Sequence, residues 1–177
     1  MTPEPFGTRL RHAMDTRGPL CVGIDPHASL LASWGLNDDV AGLERFTRTV
    51  VEALADRVAV LKPQSAFFER FGSRGVAVLE KAVAEARAAG ALVLMDAKRG
   101  DIGSTMGAYA ATYLDEDSPL FSDAVTVSPY SDSARCARRW TPPRPPARAS
   151  SCWPSPPTRR GPRSSGPPPP TAARSPS

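Results

Sequence analysis

The chain has 177 residues, with 22 basic and 18 acidic side chains and a formal net charge of +4. That average covers two unlike stretches. Residues 131–177 hold 13 of the 20 prolines and nine arginines against one acid, Asp132, whereas residues 1–130 carry a net charge of −4. The basic balance therefore describes no surface of a folded domain and gives no ground for expecting nucleic-acid binding.

No run of apolar residues approaches 18, and residues 1–18 carry Arg9, Arg11 and Arg17 without a continuous apolar segment of signal-peptide length. A cytoplasmic protein without a membrane partner is expected. Cys21, Cys136 and Cys152 are odd in number and scattered, and His12 and His27 lack partners at metal-ligand spacing. The reading expects no disulfide framework, no metal and no cofactor.

In chain order, Phe6, Leu10 and Met14 fall on one face of a short leading helix that stops near Gly18-Pro19. Leu20 to Ile24 is an apolar run closed by Asp25-Pro26 and reads as the first strand. Leu43, Phe46, Val50, Val51 and Leu54 repeat at helical spacing, and Val58 to Leu61 is a second strand closed by Lys62-Pro63. Phe67 and Phe68 read as core residues in a loop region. Val76, Leu79, Val83 and Ala86 mark another helix face, with Gly90 as its stop before the third strand. A helix beginning near Ile102 and a fourth strand, Ala124 to Val127, complete the folded part.

Each strand is near-continuously apolar, as parallel strands covered on both faces should be. Alternating β and α permits either an open doubly wound sheet or a closed (β/α)₈ barrel. Asp25, Lys62 and Lys98 end three successive strands, which suits a barrel mouth where strand ends converge.

The densest charge pattern is Asp96-Ala97-Lys98-Arg99-Gly100-Asp101, at the end of the apolar run Leu92 to Met95. Alternation puts Asp96 and Lys98 on one side of the strand, about 7 Å apart along it. Gly100 and Gly103 are expected to turn the backbone, and a helix starting at Asp101 would place Asp101 and Thr105 on one face. Any one of these charges alone fits a strand-end ion pair or a helix cap. Two carboxylates flanking one ammonium form a charge array suited to catalysis.

This hexad resembles the Asp-x-Lys-x-x-Asp signature of the orotidine 5'-monophosphate decarboxylase family. Cys21-Val22-Gly23-Ile24-Asp25-Pro26-His27, Leu61 to Glu69 and Val125 to Tyr130 are similar to further blocks of its bacterial subgroup, so the resemblance covers residues 6–130. It implies a (β/α)₈ TIM barrel, of which only about the first four βα units are present. It also implies conversion of orotidine 5'-monophosphate (OMP) to UMP and carbon dioxide without cofactor or metal. Lys98 matches the proton donor and Asp96 the carboxylate beside the departing group. Asp101 and Thr105 match residues that reach across a homodimer interface into the neighbour's site, and Asp25 and Lys62 match groups that bind the ribose hydroxyls. A second reading is a magnesium-dependent sugar-phosphate decarboxylase or aldolase of the same superfamily. Those relatives carry a carboxylate at the end of strand two, where Lys62 stands here.

The domain reading is a half-barrel over residues 1–130, then a disordered Pro/Arg/Ser-rich tail over 131–177. From Ser131 on there is no Leu, Ile, Val, Phe, Met, Tyr or Lys, and no strand is expected. Such a composition is what GC-rich coding DNA yields out of frame, and restoring one nucleotide with GC-rich codons gives an amphipathic stretch followed by the strand-like run GLFVLAL. The expectation is a frameshifted chain with little or no activity, since the family's phosphate-gripping glutamine and arginine have no match, and with both sheet edges exposed and prone to aggregation. The rival reading is a non-enzymatic fragment whose tail binds partners through Pro142-Pro143-Arg144-Pro145-Pro146.

Overall fold

The computed structural model describes residues 4–128 and 149–152. The order is α1 (Phe6–Arg17), β1 (Cys21–Ile24), α2 (Ala28–Ser33), α3 (Val40–Leu54), β2 (Val60–Pro63), α4 (Ala66–Glu69), α5 (Ser73–Ala88), β3 (Leu92–Arg99), α6 (Gly103–Leu114), β4 (Ala124–Val127) and β5 (Ala149–Cys152). Every adjacent pair of strands is parallel, and their order in the sheet is their order in the chain. A doubly wound sheet reverses its strand order at a switch point, whereas a barrel wall does not. The alternative left open by pattern is thus resolved toward the barrel wall.

The four expected strands are present, and the apolar runs of β2 and β4 are largely buried on both faces, whereas β1 at the sheet's edge buries only Ile24. Ile24, Leu61, Val93, Met95 and Val125 form the centre of the core with Leu31, Leu43, Phe46, Phe68 and Leu79 from the helices. Each such side chain taken from water contributes about 1.5–3 kcal/mol. α3 starts where the Asp39 side chain accepts a hydrogen bond from the Gly42 N–H at 2.8 Å. α3 and α5 pack side by side over the sheet through Leu43, Phe46 and Val51 on one and Val78, Leu79, Ala82 and Val83 on the other. A Cβ on Gly75 would lie 2.1 Å from the Phe68 carbonyl oxygen, so only glycine lets α5 approach α4 so closely.

At the opposite end of the strands α1 lays Leu10, Ala13 and Met14 on Ala59, Val60, Leu92 and Leu94. No helix among the described residues is long and apolar enough to cross a membrane.

Three points depart from expectation. α2 and α4, six and four residues long, were not foreseen, because neither completes two turns and so neither displays a period. α6 starts at Gly103, whose φ is +58°, so Asp101 precedes it and the shared helical face with Thr105 is not formed. And the stretch from which no strand was expected supplies β5, paired in register from Ala124↔Ala149 to Val127↔Cys152. The unpaired N–H and C=O groups along β4 demand a backbone, not an apolar one, so this edge is covered. The rest of the expected disordered tail lies outside the described residues.

Candidate active site

The site forms at the C-terminal ends of β1 to β4. Met95 pairs with Val125 and Arg99 with Val127, so four steps along β3 span two along β4, and the strand bulges over Asp96, Ala97 and Lys98. Lys98 sits in the bulge with φ +48°, the left-handed region that a side chain rarely occupies. The turn expected at Gly100 therefore falls partly on the lysine itself. Bulging re-aims the side chain, and the Lys98 ammonium comes back onto its own strand, 2.6 Å from Asp96 Oδ1.

Asp96 is the hub. Its residue exposure is 6%. Lys62, at the end of β2, donates to Oδ2 at 3.0 Å, and Gln64 Nε2 donates to the same oxygen at 3.1 Å. Thr126, on β4, donates its hydroxyl to Oδ1 at 2.8 Å. The Asp96 carbonyl meanwhile accepts the Ser65 N–H at 3.2 Å, which fixes the strand beneath the carboxylate. Burial alone would raise the Asp96 carboxyl, but hydrogen bonds from Lys98, Lys62 and Thr126 outweigh it and hold the group below the usual carboxylate range. Burial likewise works to lower the Lys62 ammonium, yet the bond to Asp96 and the charges of Asp96 and Asp25 carry it above its ordinary value. Both groups are therefore charged at neutral pH.

Asp25 follows β1 and acts on Lys62 through its charge; its Oδ1 is buried and has no hydrogen-bond partner among the described residues. The end of β3 is tied outward as well: Arg99 forms an ion pair with Glu69 of α4 and lies 5.9 Å from the Tyr109 ring of α6. Phe67 meets His27 edge-on at 4.3 Å, while Phe68 is fully buried, as a core residue should be.

Of the residues singled out from sequence, the structure brings together Asp96, Lys98 and Lys62, with Asp25 beside Lys62. It does not bring Asp101 and Thr105 to them within one chain. Both are exposed, and Asp101 accepts the N–H of Ile102 at 2.7 Å. Within one chain Asp96 thus lies between two ammoniums, Lys62 and Lys98, with Asp25 acting on Lys62 and Asp101 outside the cluster. Gln64, Ser65 and Thr126 were missed. Thr126 had a signal, as the lone polar residue in Ala124 to Val127, and Gln64 stands two residues from Lys62, on the same side of an extended chain.

The arrangement is that of a charge-loaded strand end with a protonated amine held against a buried carboxylate. The family model of the orotidine 5'-phosphate decarboxylase / HUMPS family matches residues 18–137. An orotidine 5'-phosphate decarboxylase of Streptomyces coelicolor is 86% identical over 127 residues, 72% of this chain and 46% of the relative. One from Salinispora arenicola is 72% identical over the same shares. Among solved structures, a protein from Streptomyces avermitilis ma-4680, described as an orotidine 5'-phosphate decarboxylase, superposes with a TM-score of 0.82 at 72% identity, over 86% of this chain and 53% of that one. The OMP decarboxylase of Leishmania donovani gives 0.64 at 33% identity, over 84% and 52%. The chain spans about half the length of the relatives it matches. With the parallel, sequentially ordered strands and the Asp96–Lys98–Lys62 cluster at their ends, these matches place the chain in the (β/α)₈ barrel proteins of the orotidine 5'-phosphate decarboxylase / HUMPS family.

Proposed function

We propose that this chain carries the decarboxylating part of an OMP decarboxylase site. The observation that supports it is the Asp96 carboxylate gripped by Lys62 and Lys98 at the strand ends. In this reading the substrate carboxylate lies beside Asp96. Its carbon–carbon bond to the pyrimidine ring breaks, carbon dioxide leaves, and the electron pair stays on the ring carbon. The Lys98 ammonium stabilises that charge, delivers a proton to the carbon and regains one from water. Asp96 keeps the amine aimed, and its repulsion with the substrate carboxylate is relieved as carbon dioxide departs.

Asp25 and Lys62 hold the ribose hydroxyls. Asp101 and Thr105, exposed at the start of α6, complete the site of a second copy in a homodimer. No metal takes part. A magnesium site of the sugar-phosphate type calls for a carboxylate at the end of β2, and Lys62 puts an ammonium there. The half-barrel of family sequence ends near residue 130, and the residues beyond it, β5 included, read as the out-of-frame segment.

The test is a chimaera in which residues 1–130 are followed by the C-terminal half of the Streptomyces coelicolor relative, assayed for UMP formation from OMP. The chimaera is expected to turn over, and the 177-residue chain to be at least about 100-fold slower, since contacts to the remote phosphate organise the reacting centre. A folded chimaera without activity overturns the reading.

A further inference from the structure

Lys98 presents two problems that one side chain answers. Its backbone is left-handed, and in a bulge its N–H has lost the ladder partner it would have in a regular strand. The Thr126 hydroxyl oxygen accepts that N–H at 2.9 Å and donates its own proton to Asp96 Oδ1 at 2.8 Å. The same carboxylate oxygen receives the Lys98 ammonium at 2.6 Å. Backbone N–H, threonine hydroxyl, carboxylate and ammonium thus close a ring that begins and ends on Lys98. Lys62 of β2 and Gln64 just after it reach the other carboxylate oxygen and take no part in it.

We infer that Thr126 is a positioning residue: its hydroxyl locks the β3 bulge and so holds the Lys98 ammonium on Asp96. The inference rests on the proposed function for its catalytic meaning, but the lock itself is a property of the chain. Valine has the shape of threonine and can neither accept nor donate, so Thr126→Val opens the ring at both bonds while keeping the strand apolar and β-branched. Thr126→Ser keeps the hydroxyl and serves as the rescue.

The experiment uses the 177-residue chain and two readouts independent of turnover. The first is amide hydrogen exchange at Lys98, the second the titration of the Asp96 carboxyl followed by carbon-13 NMR. In Thr126→Val the Lys98 amide is expected to exchange about tenfold faster, as for loss of one hydrogen bond of ordinary net strength, while the amides of Leu61 and Val93 are unchanged. Asp96 is expected to titrate at higher pH than in the parent chain. Thr126→Ser should match the parent in both. If either the exchange rate or the titration is the same in Thr126→Val as in the parent, or if Thr126→Ser behaves like Thr126→Val, the inference is overturned.

In the chimaera, Thr126→Val should lower kcat about tenfold, with KM changed less than threefold. An inactive chimaera would sink the proposed function and leave the lock to the NMR readouts. A chimaera in which Thr126→Val keeps full kcat would overturn the positioning role.

Discussion

Two buried carboxylates stand at opposite ends of the same strands, and each faces two cations. At the C-terminal end Asp96 is held by Lys62 and Lys98. At the N-terminal end Asp123, just before β4, pairs with Arg9 of α1 through Oδ1 and lies 3.9 Å from Arg87 of α5 through Oδ2, while the Val93 N–H donates to Oδ2 at 2.9 Å. Arg87 is also stacked 3.9 Å over the Phe121 ring. The architecture is alike and the cation differs. Arginine keeps its proton under all ordinary conditions and fits a carboxylate through a planar fork, so the lower cluster can only tie elements together. Lysine is a compact ammonium that can give its proton up, so the upper cluster can hold charge and also move it.

Lys98 should show the largest effect. Lys98→Ala and Lys98→Arg in the chimaera are both expected to reduce decarboxylation by roughly 10³-fold, the range of a lost general acid. The arginine variant is the sharper of the two, because it preserves the charge beside Asp96 and removes only the transferable proton. Appreciable activity in Lys98→Arg would collapse the distinction between the two ends.

At the lower end the expected cost is in folding. Asp123→Ala leaves Arg9 and Arg87 without their shared carboxylate and the Val93 N–H without its acceptor. Urea denaturation should show a loss of about 3 kcal/mol. A loss under about 1 kcal/mol would mean that the cluster is not a structural tie.

Exchange of cation type comes next. Arg9→Lys retains the charge beside Asp123 but not the guanidinium that also donates from Nε to the Glu4 carbonyl at 3.3 Å, and is expected to cost about 1 kcal/mol by the same denaturation measurement. Equal stability would show that the lower site does not distinguish the two cations.

The smallest effect concerns pH. Asp96 has a lower pKa folded than unfolded, so its contribution to stability is complete above the unfolded value of about 3.9 and is lost as pH falls through the lower folded value. Lys62 has the opposite sign: its folded pKa is raised, and its contribution fades only as pH rises past about 10.4 toward that higher value. In Asp96→Asn the acid-side decline should be shallower than in the parent chain. A parallel decline in the two proteins would remove Asp96 from the acid response.

What could be read from the residues follows from how local each cause is. Four strands were legible because an unbroken apolar run such as Leu92 to Met95 has few other fates in an α/β chain. Lys62 and Asp96 were legible as strand-end charges. Their mutual contact was not, since it depends on which strands are neighbours and in what register. Pattern predicted the shared face of Asp96 and Lys98, and the contact exists. The means differs, because a regular strand was assumed and the bulge with a left-handed Lys98 supplies it. Thr126 stood out only as the lone polar residue of its strand, because its importance arises from what lies across the ladder. α2 and α4 were hidden by their brevity, and β5 by the absence of any apolar residue larger than alanine and cysteine in Ala149 to Cys152.

That fifth strand bears on how such chains change over generations. The edge of a parallel sheet reads the polarity and spacing of a backbone and is nearly blind to the alphabet written on it, so a novel carboxy-terminal sequence meets a docking position already built. A segment recruited this way would begin its history in place, and selection would then refine its side chains rather than first having to discover where it belongs.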